Sequence, residues 1–251
     1  GWVGPLDVVL LIGRRGPESL AVAHEAVRRG SRVVVICPPD SPLALQADSR
    51  STTLLPVSTG DPLAAAVVGL VALHRLGLGP YTSTDAIAAA LDTVAEACSA
   101  RTDVSVNPAK AMALDLADAT PLVWGGSVLA ARASRRIAEA LRQASGRVGL
   151  SADASDLVGL VQQVAPRDPF EDPFEQGVAE RRAGLVLVDD GLDDAAAAES
   201  RLRLQRSAEA ADIRVTRLTH RDDSMMERYA TVLLTGLFGA AYLQIGLGRT
   251  A

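Results

Sequence analysis

Side-chain amines and amides of the lysine and asparagine type are almost missing from this 251-residue chain. Its one lysine, Lys110, and one asparagine, Asn107, stand three positions apart in SVNPAKAMALDLA, residues 105–117. The remaining cations are 24 arginines and three histidines, a bias that reads as GC-rich coding. Aromatic residues make up only 3%, so alanine, valine and leucine must fill the interior, and small side chains suit close helix–sheet packing. No long basic block appears and the net charge is −5, which argues against nucleic acid as a partner. The two cysteines, Cys37 and Cys98, have neither metal spacing nor a CxxC arrangement; free thiols and a cytoplasmic protein are expected. His24, His74 and His220 lack partners at metal or triad spacing. There is no P-loop, no GxGxxG and no carboxylate cluster at metal-ligand spacing, so neither a metal nor another cofactor is expected. The chain opens GWVGPLD without an initiator methionine or a secretory signal, as though a preceding part were missing.

What is present is apolar sequence, 48% of the chain, enough for one large α/β domain or two ordinary ones. DVVLLI (7–12) and SRVVVIC (31–37) are continuous apolar runs, expected as strands buried on both faces. ESLAVAHEAVRR between them has helical spacing and ends at Gly30. This is a right-handed βαβ unit. A short helix near 41–48 and a strand at 53–57 follow. Residues 61–76, 84–99 and 107–118 then read as three helices. A second series begins with strand PLVWGG (121–126) and helix 127–144, then strand RVGLSA (147–152) and helix 153–165. PRDPFEDPFEQG (166–177) reads as a loop. Strand AGLVLVDD (183–190), helix 194–211, strand DIRVTRL (212–218) and an apolar helix from about 224 complete the pattern. Alternating strands and helices give two parallel sheets joined by helices.

Residues 230–247, ATVLLTGLFGAAYLQIGL, hold no charge over 18 residues, close to membrane-spanning length. Gly236, Ala240 and Gln244 share one face, and charges of both signs flank the run. A buried core or interface helix is the expectation, with a membrane span the competing one.

Ligands in open parallel sheets sit beyond the carboxyl ends of the strands, and two loops qualify. In GRRGPES, Gly13–Ser19, Gly16 and Pro17 shape a helix start whose amides attract anions, with Arg14 and Arg15 adding charge. A tight turn with solvated arginines explains the same residues. In WGGS (124–127), Gly125 and Gly126 let backbone approach a ligand, and Ser127 either contacts it or caps the next helix. On that helix Arg132 and Glu139 lie two turns apart on one face, about 10 Å along the axis. Glu139 is a general-base candidate; an ion-pair network with Arg135, Arg136 and Arg142 is the alternative. Asp189, Asp190, Asp193 and Asp194 flank a turn and read as solvated or capping residues. Asn107 and Pro108 suit a helix start, whereas Lys110 in a first turn opposes the helix dipole. It reaches a carboxylate or a bound anion, or lies exposed.

GPLDVVLLIGRRGPESLAVAHEAVRRGSRVVVI resembles the first-domain loop region of the bifunctional phosphoglucose/phosphomannose isomerase family, proteins with two sugar-isomerase (SIS) domains in tandem. NPAKAMALDLADATPLVWG resembles the interdomain segment, and residues 183–248 the end of the second domain. The chain is also similar to a drifted, actinobacterial TobH-type group. The resemblance implies an α/β fold of two SIS-type doubly wound parallel-sheet domains. These are a first domain in 1–78, incomplete at its N-terminus, a helical connection in 79–118 and a second domain in 119–251. It implies a cytoplasmic homodimer that binds a sugar phosphate, without nucleic acid, membrane or metal. The family's phosphate loop, Ser-x-Ser-Gly-Asn-Thr-Glu-Glu-Thr, is two residues shorter here. Gly13 and Arg15 stand where serines belong; Gly16 survives, and Ser19 matches the last threonine.

Counting from Arg132 puts Glu139 on the family's proton-moving glutamate, with Ala138 and Ala140 in place of its flanking asparagines. The ring-opening histidine should fall in 153–157, where this chain has DASDL. The implied function is a phosphosugar isomerase-like protein of weak or lost activity. Arg14, Arg15, Gly16, Ser19, Gly125, Gly126 and Ser127 would hold phosphate. The alternative is a non-catalytic sugar-phosphate sensor or interaction protein.

Overall fold

Strands β1 (Val8–Ile12), β2 (Arg32–Cys37) and β3 (Thr52–Pro56) form a parallel sheet in the order β1-β2-β3. The computed structural model describes residues 3–13, 17–47, 49–163, 182–220 and 224–249. Its chain divides into two units, Gly1–Thr84 and Asp85–Ala251. In the first, helices α1 (Pro17–Arg28) and α2 (Pro42–Gln46) cover one sheet face, where Val33, Val35 and Cys37 meet Ala23, Ala26 and Leu43. Helix α3 (Pro62–Arg75) covers the other, with Ala65 against Ile36 and Val57. The alternation along β2 is the period-two geometry of a strand buried on both sides. β1 departs from that expectation. Val8 and Ile12 remain 45% and 40% exposed, because β1 has a pairing strand on one side only.

On α1, Arg28 and Arg29 hold the Glu25 carboxyl down at about 2 by hydrogen bonds; Arg28 Nη2 is 2.7 Å from Glu25 Oε1. A depressed carboxylate pKa stabilises above the unfolded value and loses that effect as pH falls through the folded one. The contribution at this exposed site is small.

In the second unit, α4 (Thr84–Ala97) and α5 (Pro108–Asp115) lead into β4 (Thr120–Gly125), α6 (Val128–Ser145) and β5 (Leu150–Ser151). Then come α7 (Ala154–Gln162), β6 (Ala183–Asp189), α8 (Ala195–Ala210), β7 (Val215–Thr219) and α9 (Met225–Gly246). The sheet is parallel in the order β5-β4-β6-β7. Val123, Val186 and Val188 point to the face of α5, α6 and α9, packing with Met112, Ile137, Leu141, Val232 and Leu243. Leu122, Trp124, Leu185 and Leu187 point to the face of α7 and α8, packing with Leu157 and Leu204. This second unit is doubly wound. From Asp85 onward the helical segment read as a connection groups with it. The strand expected at 147–152 shortens to two residues. The one expected from 212 starts at Val215, because Asp212 turns at φ 52° and Ile213 still packs with α8. The loop expected at 166–177 lies outside the described residues.

Packing explains the long apolar helix. Among the described residues α9 is the one helix that passes a length-and-composition test for a membrane span. Ala230, Val232, Leu233, Gly236, Gly239, Ala240 and Leu243 are buried within the unit. A Cβ on Gly236 would stand 2.5 Å from the Ile137 side chain, and one on Gly239 would overlap the Met112 terminus. Ile137 is β-branched and stiff at χ1, so it cannot swing away as Met112 can.

The lone lysine is structural. Asn107 Oδ1 accepts from the Ala109 and Lys110 amides at 3.1 and 3.0 Å, and Nδ2 donates to Ser99 O at 3.0 Å. Lys110 Nζ turns back and donates to the Ala100 and Thr102 carbonyls at 2.8 and 2.7 Å. It lies 5.5 Å from the Tyr242 ring centroid, while Tyr242 Oη donates to Cys98 O at 2.7 Å. The ammonium thus satisfies carbonyls just beyond the C-terminus of α4, where positive charge is favourable.

Two outcomes are expected. Gly236→Val should lower stability by about 1–3 kcal/mol through overpacking, read as a lower midpoint in urea; an unchanged midpoint would show that α9 does not pack this closely. Lys110→Met should cost about 1–3 kcal/mol, since two hydrogen bonds to a charged donor disappear. Lys110→Ala should cost no less.

Candidate functional site

The chain runs from β4 to β5 on one side of the second sheet and takes up β6 on the other. The strand order therefore reverses between β4 and β6, and the loops after these strands enclose the crevice where open α/β sheets bind ligands. The first loop is Gly125–Gly126–Ser127. The second is Asp190–Asp194, entering α8.

Both glycines are explained by packing. A Cβ on Gly125 would overlap the Ala130 carbonyl in the first turn of α6. One on Gly126 would lie 2.5 Å from Asp193 Oδ1 and 2.8 Å from Ala197 Cβ. The expected backbone approach to a ligand is thus, in this structure, an approach to α6 and to the opposite loop. Ser127 caps α6, accepting from the Ala130 amide at 3.0 Å, and its hydroxyl also donates to Asp190 Oδ2 at 2.5 Å. Capping and a link between the two loops coexist in one side chain.

The aspartates were read as solvated or capping, and only Asp194 fits, accepting from Ala197 N at 2.8 Å. Asp189 and Asp190 are buried, and the Asp193 side chain is 6% exposed. Asp189 Oδ1 accepts from Gly191 N at 3.0 Å and Asp190 Oδ1 from Leu192 N at 3.2 Å. Arg201 of α8 bridges Asp193 and Asp189, lying 3.4 Å from Asp189 Oδ2; Arg217 of β7 is 3.7 Å from the same oxygen. Arg228 of α9 donates to the Asp190 and Gly191 carbonyls at 3.2 and 3.4 Å. Burial pushes the Asp193 carboxyl above its ordinary range; Arg201 opposes that shift and Asp189, Asp190 and Asp194 reinforce it. The sequence signal was present: four aspartates in DDGLDD directly after a fully apolar strand stand at the end of a buried strand, where solvent is scarce.

The other candidates lie apart from this crevice. Glu139 and Arg132 are exposed on α6. Among the described residues Glu139 forms no ion pair, so the expected network with Arg135, Arg136 and Arg142 does not form. Arg142 instead donates to Gly149 O at 3.3 Å. Arg136 and Arg132 act on Tyr229 of α9, whose pKa burial raises and these charges lower. Glu139 is twelve residues beyond Ser127, about 18 Å along the helix axis, so one small sugar cannot touch both within this unit.

In the first unit, Arg14, Arg15 and Gly16 lie outside the described residues. Ser19 is half-buried in the first turn of α1. Gly13 has φ 146°, a backbone that strains a side-chain-bearing residue. A serine there, as the resembling family has, would not fit this conformation.

Parallel sheets wound on both faces, with a crevice at a switch point, define an open α/β protein. Residues 105–249, more than half of the chain, match the family described as the bacterial phospho-glucose isomerase C-terminal SIS domain, and the chain belongs to that family. Solved structures agree on the fold across 98% of this chain. A glucose-6-phosphate isomerase-like protein from Thermus thermophilus is 15% identical, with a TM-score of 0.60 over 82% of its own length. A tagatose-6-phosphate ketose/aldose isomerase from Escherichia coli is 11% identical, with 0.67 over 70% of its length. No curated protein matches the sequence.

Ser127→Ala should cost about 1–3 kcal/mol, since it removes a cap and takes the donor from buried Asp190. A thermal midpoint within a degree of wild type would show that the link between the loops carries no stability.

Proposed function

We propose that this protein binds a sugar phosphate and retains at most weak aldose–ketose isomerase activity. The observation carrying this reading is the family match over residues 105–249. It is set against the lack of a histidine in 153–157, where the resemblance calls for one. Phosphate is assigned to Arg14, Arg15, Gly16 and Ser19, because Gly125, Gly126 and Ser127 sit among carboxylates that repel a dianion. Turnover, where it occurs, would use Glu139, with Arg132 two turns before it on α6: the carboxylate takes the proton from C2 of the aldose and returns it to C1 of the cis-enediol, while the O2 proton passes to O1, giving the ketose. Without a ring-opening acid–base group this route loses about 10²-fold or more in rate. The reading includes the drifted tandem SIS subtype, with SIS-type domains in both halves, and a cytoplasmic homodimer.

A second reading, a sugar-phosphate sensor without turnover, is favoured by the exposed position of Glu139, which has no ion-pair partner among the described residues. A coupled assay with glucose 6-phosphate and mannose 6-phosphate, run beside thermal shift, separates the two. Turnover abolished by Glu139→Gln supports the isomerase. Stabilisation by the sugar phosphates, about 2.7 kcal/mol at a hundred times Kd, without turnover supports the sensor. If neither turnover nor stabilisation appears, both readings fail.

A further inference from the structure

Helix α9 carries two half-buried tyrosines, Tyr229 and Tyr242. Tyr242 Oη donates to Cys98 O at 2.7 Å, whereas the Tyr229 hydroxyl has no hydrogen-bond partner among the described residues. A tyrosine buried to this degree usually finds one. The Tyr229 ring packs on the core cluster that includes Ala133 and Ile137 of α6, and Arg132 and Arg136 of that helix are the charges acting on its phenol. Both arginines are exposed, one turn apart, and form no ion pair among the described residues. Glu139 follows Arg136 by three residues, about 4.5 Å along the axis. Helical side chains lean toward the N-terminus, which brings the Glu139 carboxylate over the turn of Arg136. Tyr229, Arg132, Arg136 and Glu139 thus line one open face of the α6/α9 seam, all within the second unit.

The isomerisation leaves one proton without a carrier. Glu139 moves hydrogen between C2 and C1, while the O2 proton must reach O1, a task for a second acid–base group. We propose that Tyr229 is that group, with Arg132 and Arg136 stabilising the phenolate formed midway. The proposal rests on the isomerase reading above. As Glu139 takes the proton from C2, the C2–H electron pair forms C1=C2. The C1=O π pair binds the phenol proton at O1, giving the neutral enediol. The phenolate then takes the O2 proton and C2=O forms, while the C1=C2 π pair takes the proton back from Glu139 at C1. Both side chains regain their starting states. The two guanidiniums offset the burial that opposes charge on the phenol. Ring opening stays without an acid–base group, in keeping with weak turnover. The step uses no residue of the first unit and is independent of where the phosphate is held.

The test is the coupled assay on the full chain with glucose 6-phosphate and mannose 6-phosphate, in the range where rate is proportional to enzyme, beside calorimetric titration with the same sugars. Tyr229→Phe should lower kcat about 10²-fold with far less effect on Kd. The phenyl ring keeps the packing, so a purely structural role leaves kcat in place. Arg136→Gln, at an exposed position, should lower kcat about tenfold. Wild-type turnover with Tyr229→Phe at wild-type kcat would overturn this proposal and leave the isomerase reading intact. If Tyr229→Phe does not fold, Arg136→Gln at wild-type kcat overturns it equally. Wild-type protein that binds a sugar phosphate without turnover overturns it in favour of the sensor reading. Protein that binds neither sugar phosphate removes the function reading, and this proposal falls with it.

Discussion

How near α9 can come to α5 and α6 sets the whole second unit. With hydrogen in place of a side chain at Gly236 and Gly239, the helix settles onto Ile137 and Met112. That contact fixes α6 against the sheet, and α6 in turn fixes Ser127 at the end of β4. The same approach brings Tyr242 to the turn held by Lys110 and brings Arg228 to the loop after β6. A hydrophobic stretch that composition alone would allow in a bilayer is here the spine of an α/β layer.

Much of this was legible. The continuous apolar runs gave β2, β4 and β6 because strands buried on both faces have no polar positions to alternate. Helix starts were legible where a capping residue preceded the first turn, as at Asn107, Ser127 and Asp194. Edges were harder. β1 has the composition of a central strand and pairs in this structure with β2. Strand β7 began late because a left-handed turn at Asp212 cannot be read from an aspartate.

The loop after β4 was legible in the sequence, and its packing was less so. The sequence pointed to the loop after β4, and the fold places that loop at the switch point. It also pointed to glycines as room for a ligand, whereas the space at Gly125 and Gly126 is taken by Ala130, Asp193 and Ala197. The acidic run was misread because four aspartates suggest solvent unless the burial of the strand before them is carried forward. Residues 63 positions apart, Ser127 and Asp190, meet only through parallel pairing of β4 with β6.

The clamp around Lys110 has a consequence for chemical probing. The chain holds one side-chain amine, and that amine is engaged with two backbone carbonyls and an aromatic face. An amine-directed acylating reagent therefore meets a nitrogen whose availability depends on the turn between α4 and α5 being open. Acylation at this position becomes a clock for local unfolding of that turn, read from one residue with no competing lysine to resolve.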